Sequence, residues 1–242
     1  MVKIKNFNKI VVANWKLNGS TSFVKDYIKG LDYNPNNSPS NCLIICPPVT
    51  YINQFINSDY LIGAQDCSIF KEGAYTGEIS SKMLSDIGCN FCIIGHSERR
   101  ALFNDIEINI KQKIENCFND HIIPILCVGE NLMQRKQGLT KDIIKDQLKL
   151  GLPKKFKSDQ IILAYEPLWA IGTGIIPKTE EIHEIISFIK NDILNEKDYK
   201  ILYGGSVKAE NYKQILDLDD VDGLLIGGAS VNIDEFNKIL KF

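Results

Sequence analysis

The chain has 242 residues, a formal net charge of −2 and a hydrophobic fraction of 44%. That is enough apolar content for a sizeable core, and too little charge of one sign for nucleic acid or an anionic membrane to be the main partner. No apolar run reaches the ~18 residues of a membrane span, and the N-terminus lacks the apolar centre of a secretory signal.

One pattern recurs along the chain: a short apolar run, then a polar or glycine-rich cluster, then a helix signal. Run 10–13 leads into Asn14-Trp15-Lys16, and Ser20 then caps a predicted helix with Phe23, Val24, Tyr27, Ile28 and Leu31 on one face. Residues 34–40 are turn-rich and read as a loop. Run 42–46 meets Pro47-Pro48, and run 61–64 meets Gln65-Asp66, after which Ser80 caps a helix carrying Met83, Leu84 and Ile87. Run 91–94 opens into Gly95-His96-Ser97-Glu98, followed by the helical spacing of Ile106, Ile110, Ile114 and Cys117. Run 122–128 ends at Gly129-Glu130 and run 161–165 at Glu166-Pro167; Ile182, Ile185, Ile186 and Ile189 then mark a helix after Thr179. Run 200–203 reaches Gly204-Gly205-Ser206, run 223–226 reaches Gly227-Gly228, and Ile233, Phe236, Ile239 and Leu240 close the chain.

Most of these runs lack polar alternation, as strands buried on both faces do. Alternating β and α elements allow a closed (β/α)₈ barrel or an open doubly wound sheet. Eight units in this length favour the barrel, as a single domain over residues 1–242. Every unusual residue follows a strand, so in a barrel they share one mouth, where active sites are built.

Glu166 at that mouth suits a general base shielded from water; the alternative is a rim carboxylate paired with a cation. His96 can present a ring nitrogen to a ligand, or be an ordinary hydrogen-bonded histidine. The other histidines, His121 and His183, stand at no metal-ligand spacing, so no metal is expected. Lys16 shares a face with Asn14 if the first strand continues that far, giving a cation and an amide donor for an anionic ligand; a solvated Lys16 paired with Glu98 is compatible with this. The glycines at 172, 174, 204, 205, 227 and 228 suit backbone approach to a phosphate, or tight turns alone. Neither a nucleotide P-loop nor a dinucleotide fingerprint is present. The stretch from Trp169 to Gly174 is a candidate lid, or a loop with a buried Trp. Together these features point to acid–base chemistry on a small phosphorylated molecule, without metal.

The seven cysteines lie mostly in apolar runs, as reduced core thiols of a cytoplasmic protein do. Cys89 and Cys92 have C-x-x-C spacing, for which core packing is preferred to a redox or zinc role.

The residues at these positions resemble the triosephosphate isomerase family. The matching strings are residues 13–19 (ANWKLNG), 63–66 (GAQD), 73–80 (GAYTGEIS), 95–100 (GHSERR), 127–130 (CVGE), 164–174 (AYEPLWAIGTG), 203–207 (YGGSV) and 227–230 (GGAS). They stand in the family's order over nearly the whole chain. The resemblance implies a TIM barrel that interconverts dihydroxyacetone phosphate and D-glyceraldehyde 3-phosphate through an enediolate, with no cofactor and in the cytoplasm. It implies Glu166 as base, neutral His96 as proton shuttle, Lys16 as electrostatic stabiliser, Asn14 as a hydrogen-bond donor near the substrate oxygen, and Glu98 as organiser of Lys16. It implies Gly172, Ser206, Gly227 and Gly228 as phosphate binders. It implies a homodimer through the loop 73–78, from Gly73 to Glu78, with Thr76 reaching the neighbouring site. Three stretches depart from the family's usual pattern: Ile175-Ile176-Pro177 at the second lid hinge, Phe103-Asn104-Asp105-Ile106 without the usual Gly and Glu, and a short segment over 148–159. Another sugar-phosphate enzyme is the alternative within enzymes, but a Schiff-base aldolase wants a lysine in mid-strand, and Lys200 sits at a strand start. A silent binding barrel would lack the base or the histidine, and neither is missing.

Overall fold

The computed structural model describes residues 2–37, 39–56, 58, 60–172, 175–194, 196 and 198–241. Its centre is a closed parallel barrel in sequence order. The strands are β1 Lys9–Asn14, β2 Asn41–Cys46, β3 Leu61–Ala64, β4 Phe91–Ile94, β5 Ile123–Val128, β6 Ile162–Tyr165, β7 Lys200–Tyr203 and β8 Gly223–Ile226. β1 closes the ring on β8 through Ile10↔Gly223 to Ala13↔Ile226. All eight expected runs are strands, displaced by at most a residue at their ends, where pairing with the neighbour decides the boundary.

The alternation along each strand explains the unbroken apolar runs. Ile10, Val12, Ile44, Phe91, Ile93, Ile125, Ile162 and Ala164 fill the barrel interior. Their neighbours Val11, Ala13, Leu43, Ile45, Ile94, Leu163 and Tyr165 belong to a separate core packed under the helices. Successive side chains point to opposite faces, so both faces of every strand are buried and neither tolerates polar residues.

The helices are α1 Thr21–Gly30, α2 Ser81–Asp86, α3 Ser97–Leu102, α4 Glu107–Asn119, α5 Leu132–Lys136, α6 Thr140–Gly151, α7 Thr179–Phe188, α8 Tyr212–Leu216 and α9 Ile233–Ile239. The Ser20 and Ser80 hydroxyls accept the N–H groups of Phe23 and Met83, so both expected caps form. α1 buries Val24 and Tyr27 beside Trp15 and Phe55; α7 buries Ile182, Ile185 and Ile186 and runs into a π-turn, Ile189–Ile193. Two residues expected on core faces are not there. Met83 is 51% exposed in the first turn of α2, and Ile106 is 45% exposed as the N-cap of α4. Helical spacing alone does not fix where a helix starts, and both lie at a first turn. In the expected loop 34–40, Ser38 lies outside the described residues. Among the described residues no helix is long and apolar enough to cross a membrane.

Candidate active site

The C-terminal ends of the strands surround a cleft of about 540 Å³ lined by Asn14, Lys16, His96, Glu166, Gly172, Ser206, Gly227 and Gly228, among others. These are all the expected site residues except Glu98, which acts on the cleft wall through Lys16.

Parity along the strands aims two of them. Asn14 continues the inward series Ile10, Val12, and Glu166 continues Ile162, Ala164. Glu166 is only 2% exposed. One carboxylate oxygen accepts the Ser97 N–H at 3.0 Å, and the other lies 3.1 Å from His96 Nε2. Its backbone is wedged by a glycine that sequence reading did not single out for this role. A Cβ at Gly129 would fall 1.8 Å from the Glu166 carbonyl oxygen. Gly129→Ala is therefore expected to push the Glu166 backbone away and to cost at least about 1–3 kcal/mol of stability. Thermal unfolding checks this, and a melting temperature equal to the parent's contradicts it.

His96 does not follow strand parity. Gly95 has φ +68°, a left-handed turn between β4 and α3 that re-aims the imidazole into the cleft. The Glu98 N–H donates to His96 Nδ1 at 3.2 Å, so the ring proton sits on Nε2, the nitrogen facing Glu166.

Lys16 corrects one expectation. β1 ends at Asn14, and Lys16 has φ +53°, so the two side chains do not share a face by strand alternation. A left-handed turn at a non-glycine residue is uncommon and needs support. The Asn14 Oδ1 accepts the Lys16 N–H at 3.0 Å, and Gln65 Nε2 donates to the carbonyls of Lys16 and Cys46, both at 2.9 Å. Both Asn14 and Lys16 still reach the cleft. The Lys16 ammonium meets Glu98 Oε1 at 2.6 Å, and a Cβ at Gly227 would lie 2.9 Å from its Cε. Gly227 thus makes room for the lysine. Glu98 is about half exposed, so this pair orients Lys16 and adds little stability.

The glycine-rich loops form the other wall. A Cβ at Gly205 would fall 2.1 Å from the Tyr203 hydroxyl, so a side chain there would have to displace that buried ring, whereas a Cβ at Gly228 meets nothing within 4 Å. The Ser206 hydroxyl is committed to the Ala170 carbonyl, tying the loop after β7 to the base of the expected lid. Lys208 also lines the cleft, a cation that strand-end reasoning did not pick out because it lies in a surface turn. In the expected lid, Gly172 has φ +70°, Ile175 and Ile176 are about half exposed, and Thr173 and Gly174 lie outside the described residues. Trp169 is nearly buried. Its Nε1 donates to Glu130 Oε1 at 2.8 Å and Arg135 stacks on its ring at 3.9 Å, which anchors the start of that stretch.

The departure at residues 103–106 has a physical account. Asn104 has φ +54°, the left-handed region that Asn tolerates in place of Gly. Asp105 next to it takes up Arg99 Nε at 3.0 Å and Lys113 Nζ at 2.9 Å, and both cations also bind Asp66. This network, behind the cleft wall, joins the turn after β3 to α3 and α4. Lys200, the alternative nucleophile, sits at the opposite end of the barrel bound to Asp222 at 3.3 Å.

The family model described as triosephosphate isomerase matches residues 9–242. A triosephosphate isomerase of Francisella philomiragia is 39% identical over 244 residues, covering 96% of each chain. One from a Wolbachia of Brugia malayi is 42% identical over 234 residues, again covering 96% of each. The crystal structure of triosephosphate isomerase from Bartonella henselae superposes with a TM-score of 0.85 at 31% identity, over 96% of this chain and 98% of that one.

Proposed function

The chain belongs to the triosephosphate isomerase family, and on that premise we propose how its own residues perform the reaction. The enzyme interconverts dihydroxyacetone phosphate and D-glyceraldehyde 3-phosphate, a step of glycolysis and gluconeogenesis.

Glu166 removes a proton from the carbon next to the substrate carbonyl. The carbonyl oxygen becomes an enediolate oxygen, held by His96 Nε2–H and the Lys16 ammonium, with Asn14 donating nearby. His96 passes a proton between the two oxygens, and Glu166 returns a proton to the neighbouring carbon, so aldose and ketose differ only in where the hydrogens sit. The supporting observation is the buried Glu166 carboxylate 3.1 Å from an imidazole whose tautomer is set by the Glu98 N–H. Burial matters because a carbon acid is weak and its anion needs fixed donors away from water. A coupled isomerase assay on the purified chain tests the reading; a folded protein without isomerase activity contradicts it.

Gly172, Ser206, Gly227 and Gly228 hold the phosphate, Ser206 through its backbone because its hydroxyl is already used. Gly228→Val is expected to keep the fold, since its Cβ has open space, while the branched side chain blocks the anion's approach. Competitive inhibition by inorganic phosphate is the readout: Ki should rise at least about tenfold, and an unchanged Ki removes Gly228 from the phosphate site.

We read residues 1–242 as one catalytic domain in a cytoplasmic enzyme; the latter suits seven buried, unpaired thiols. We further propose a homodimer through the loop 73–78. Tyr75 on that loop is 43% exposed and stacks on Phe70 at 3.6 Å, beside exposed Met83, and Leu17 directly after Lys16 is 98% exposed. Apolar side chains so placed call for a covering partner.

A further inference from the structure

Three of the cysteines converge from distant parts of the chain. Cys67 follows β3, Cys92 lies on β4 and Cys117 in the last turns of α4. Their sulfurs all lie within 4.8 Å of one another, and those of Cys67 and Cys117 are 3.8 Å apart. Cys89, the partner suggested by C-x-x-C spacing, is not among them. The three are between 0% and 3% exposed, and the isomerase chemistry uses none of them.

A soft metal–thiolate bond is about 2.3 Å long, so three sulfurs in a plane around one ion stand about 4 Å apart. The observed spacing is of that size. Among the described residues no fourth His, Cys, Asp or Glu joins the cluster. Zinc prefers four donors in a tetrahedron, whereas thiolates alone favour a softer ion such as Cu(I).

We propose that Cys67, Cys92 and Cys117 form a trigonal, all-sulfur site for the soft monovalent ion Cu(I). Each S–H bond replaced by a Cu–S bond releases one proton to solvent. The copper enters and remains as Cu(I), so no electron is transferred. Since Cys67 opens the segment leading to the loop 73–78, the ion ties that segment to β4 and α4 and raises the melting temperature of the loaded protein.

The test is anaerobic titration of the full chain with Cu(I) against a chromophoric Cu(I) chelator, with loading both of native protein and during refolding because the sulfurs are buried. The expected result is one Cu(I) retained per chain, a first shell of three sulfurs by X-ray absorption, and a raised melting temperature. Cys117→Ala and the volume-conserving Cys92→Val should each weaken retention at least about tenfold, while Cys42→Ala, outside the trio, should not. Failure of the folded parent to hold Cu(I), equal retention in all variants, a shell of two or four sulfurs, or preferential capture of Zn(II) would overturn the proposal.

Discussion

Glu166→Gln is expected to leave the barrel folded and to lower kcat by at least about 10²–10⁴-fold, the usual share of a positioned general base. The amide has the size of the carboxylate, and its oxygen can still accept the Ser97 N–H that Glu166 accepts at 3.0 Å. The phosphate loops and Gly129 are untouched, so KM should change little. What disappears is a site able to take a proton from carbon. The measurement is steady-state kinetics in both directions beside a thermal melt. Turnover close to the parent's in a folded variant would falsify the base assignment.

Thr76→Arg is expected to convert a dimer to monomer and to reduce activity, although Thr76 belongs to no wall of the cleft. Within one chain the residue is exposed, so an arginine there disturbs nothing in the protomer. In the proposed interface it must bury a charge without a matching carboxylate, once for each copy by two-fold symmetry. A cost of about 3 kcal/mol corresponds to a dimer weakened at least about 10²-fold. Activity should follow, because Lys16 stands beside fully exposed Leu17 in a left-handed turn that the partner is proposed to cover. Sedimentation velocity and the isomerase assay at equal protein concentration read both effects. A dimer of parental affinity would remove the loop from the interface; a fully active monomer would show that the partner does not support the site.

Most of the barrel was legible because strands buried on both faces must be apolar throughout, and each ended in a conspicuous polar or glycine cluster. Glu166 and Asn14 were legible for the same reason, since strand parity carries them into the mouth. Lys16 reaches the cleft by another route: a face shared with Asn14 required β1 to continue that far, but the strand ends at Asn14 and a left-handed turn held by Asn14 and Gln65 delivers the lysine. Gly129 was visible only as a strand-end glycine. Its contact with the Glu166 backbone joins two adjacent strands, and no local pattern encodes that approach. The cysteine trio was hidden likewise, since its members come from a turn, a strand and a helix, and the visible C-x-x-C spacing pointed elsewhere. The stretch after the His96 string departs from the family's usual pattern by lacking its Gly and Glu. The fold shows Asn104 adopting the left-handed turn and Asp105 supplying the carboxylate.

The central claim is that isomerisation runs through an enediolate, with Glu166 lifting a proton from one carbon and returning one to the next. Running the purified enzyme on dihydroxyacetone phosphate in D₂O, with the product trapped as it forms and examined by proton NMR, tests it most directly. The proton held by the Glu166 carboxyl is exchangeable, unlike one bound to carbon, so it trades with D₂O while the enediolate is bound and deuterium is returned. The account predicts D-glyceraldehyde 3-phosphate carrying deuterium at the carbon next to the aldehyde in the parent, and loss of that incorporation together with turnover in Glu166→Gln. Product formed at the full rate with only protium at that carbon, in a protein whose Glu166→Gln variant still turns over, would mean that hydrogen passes directly between the carbons and that Glu166 is not the base.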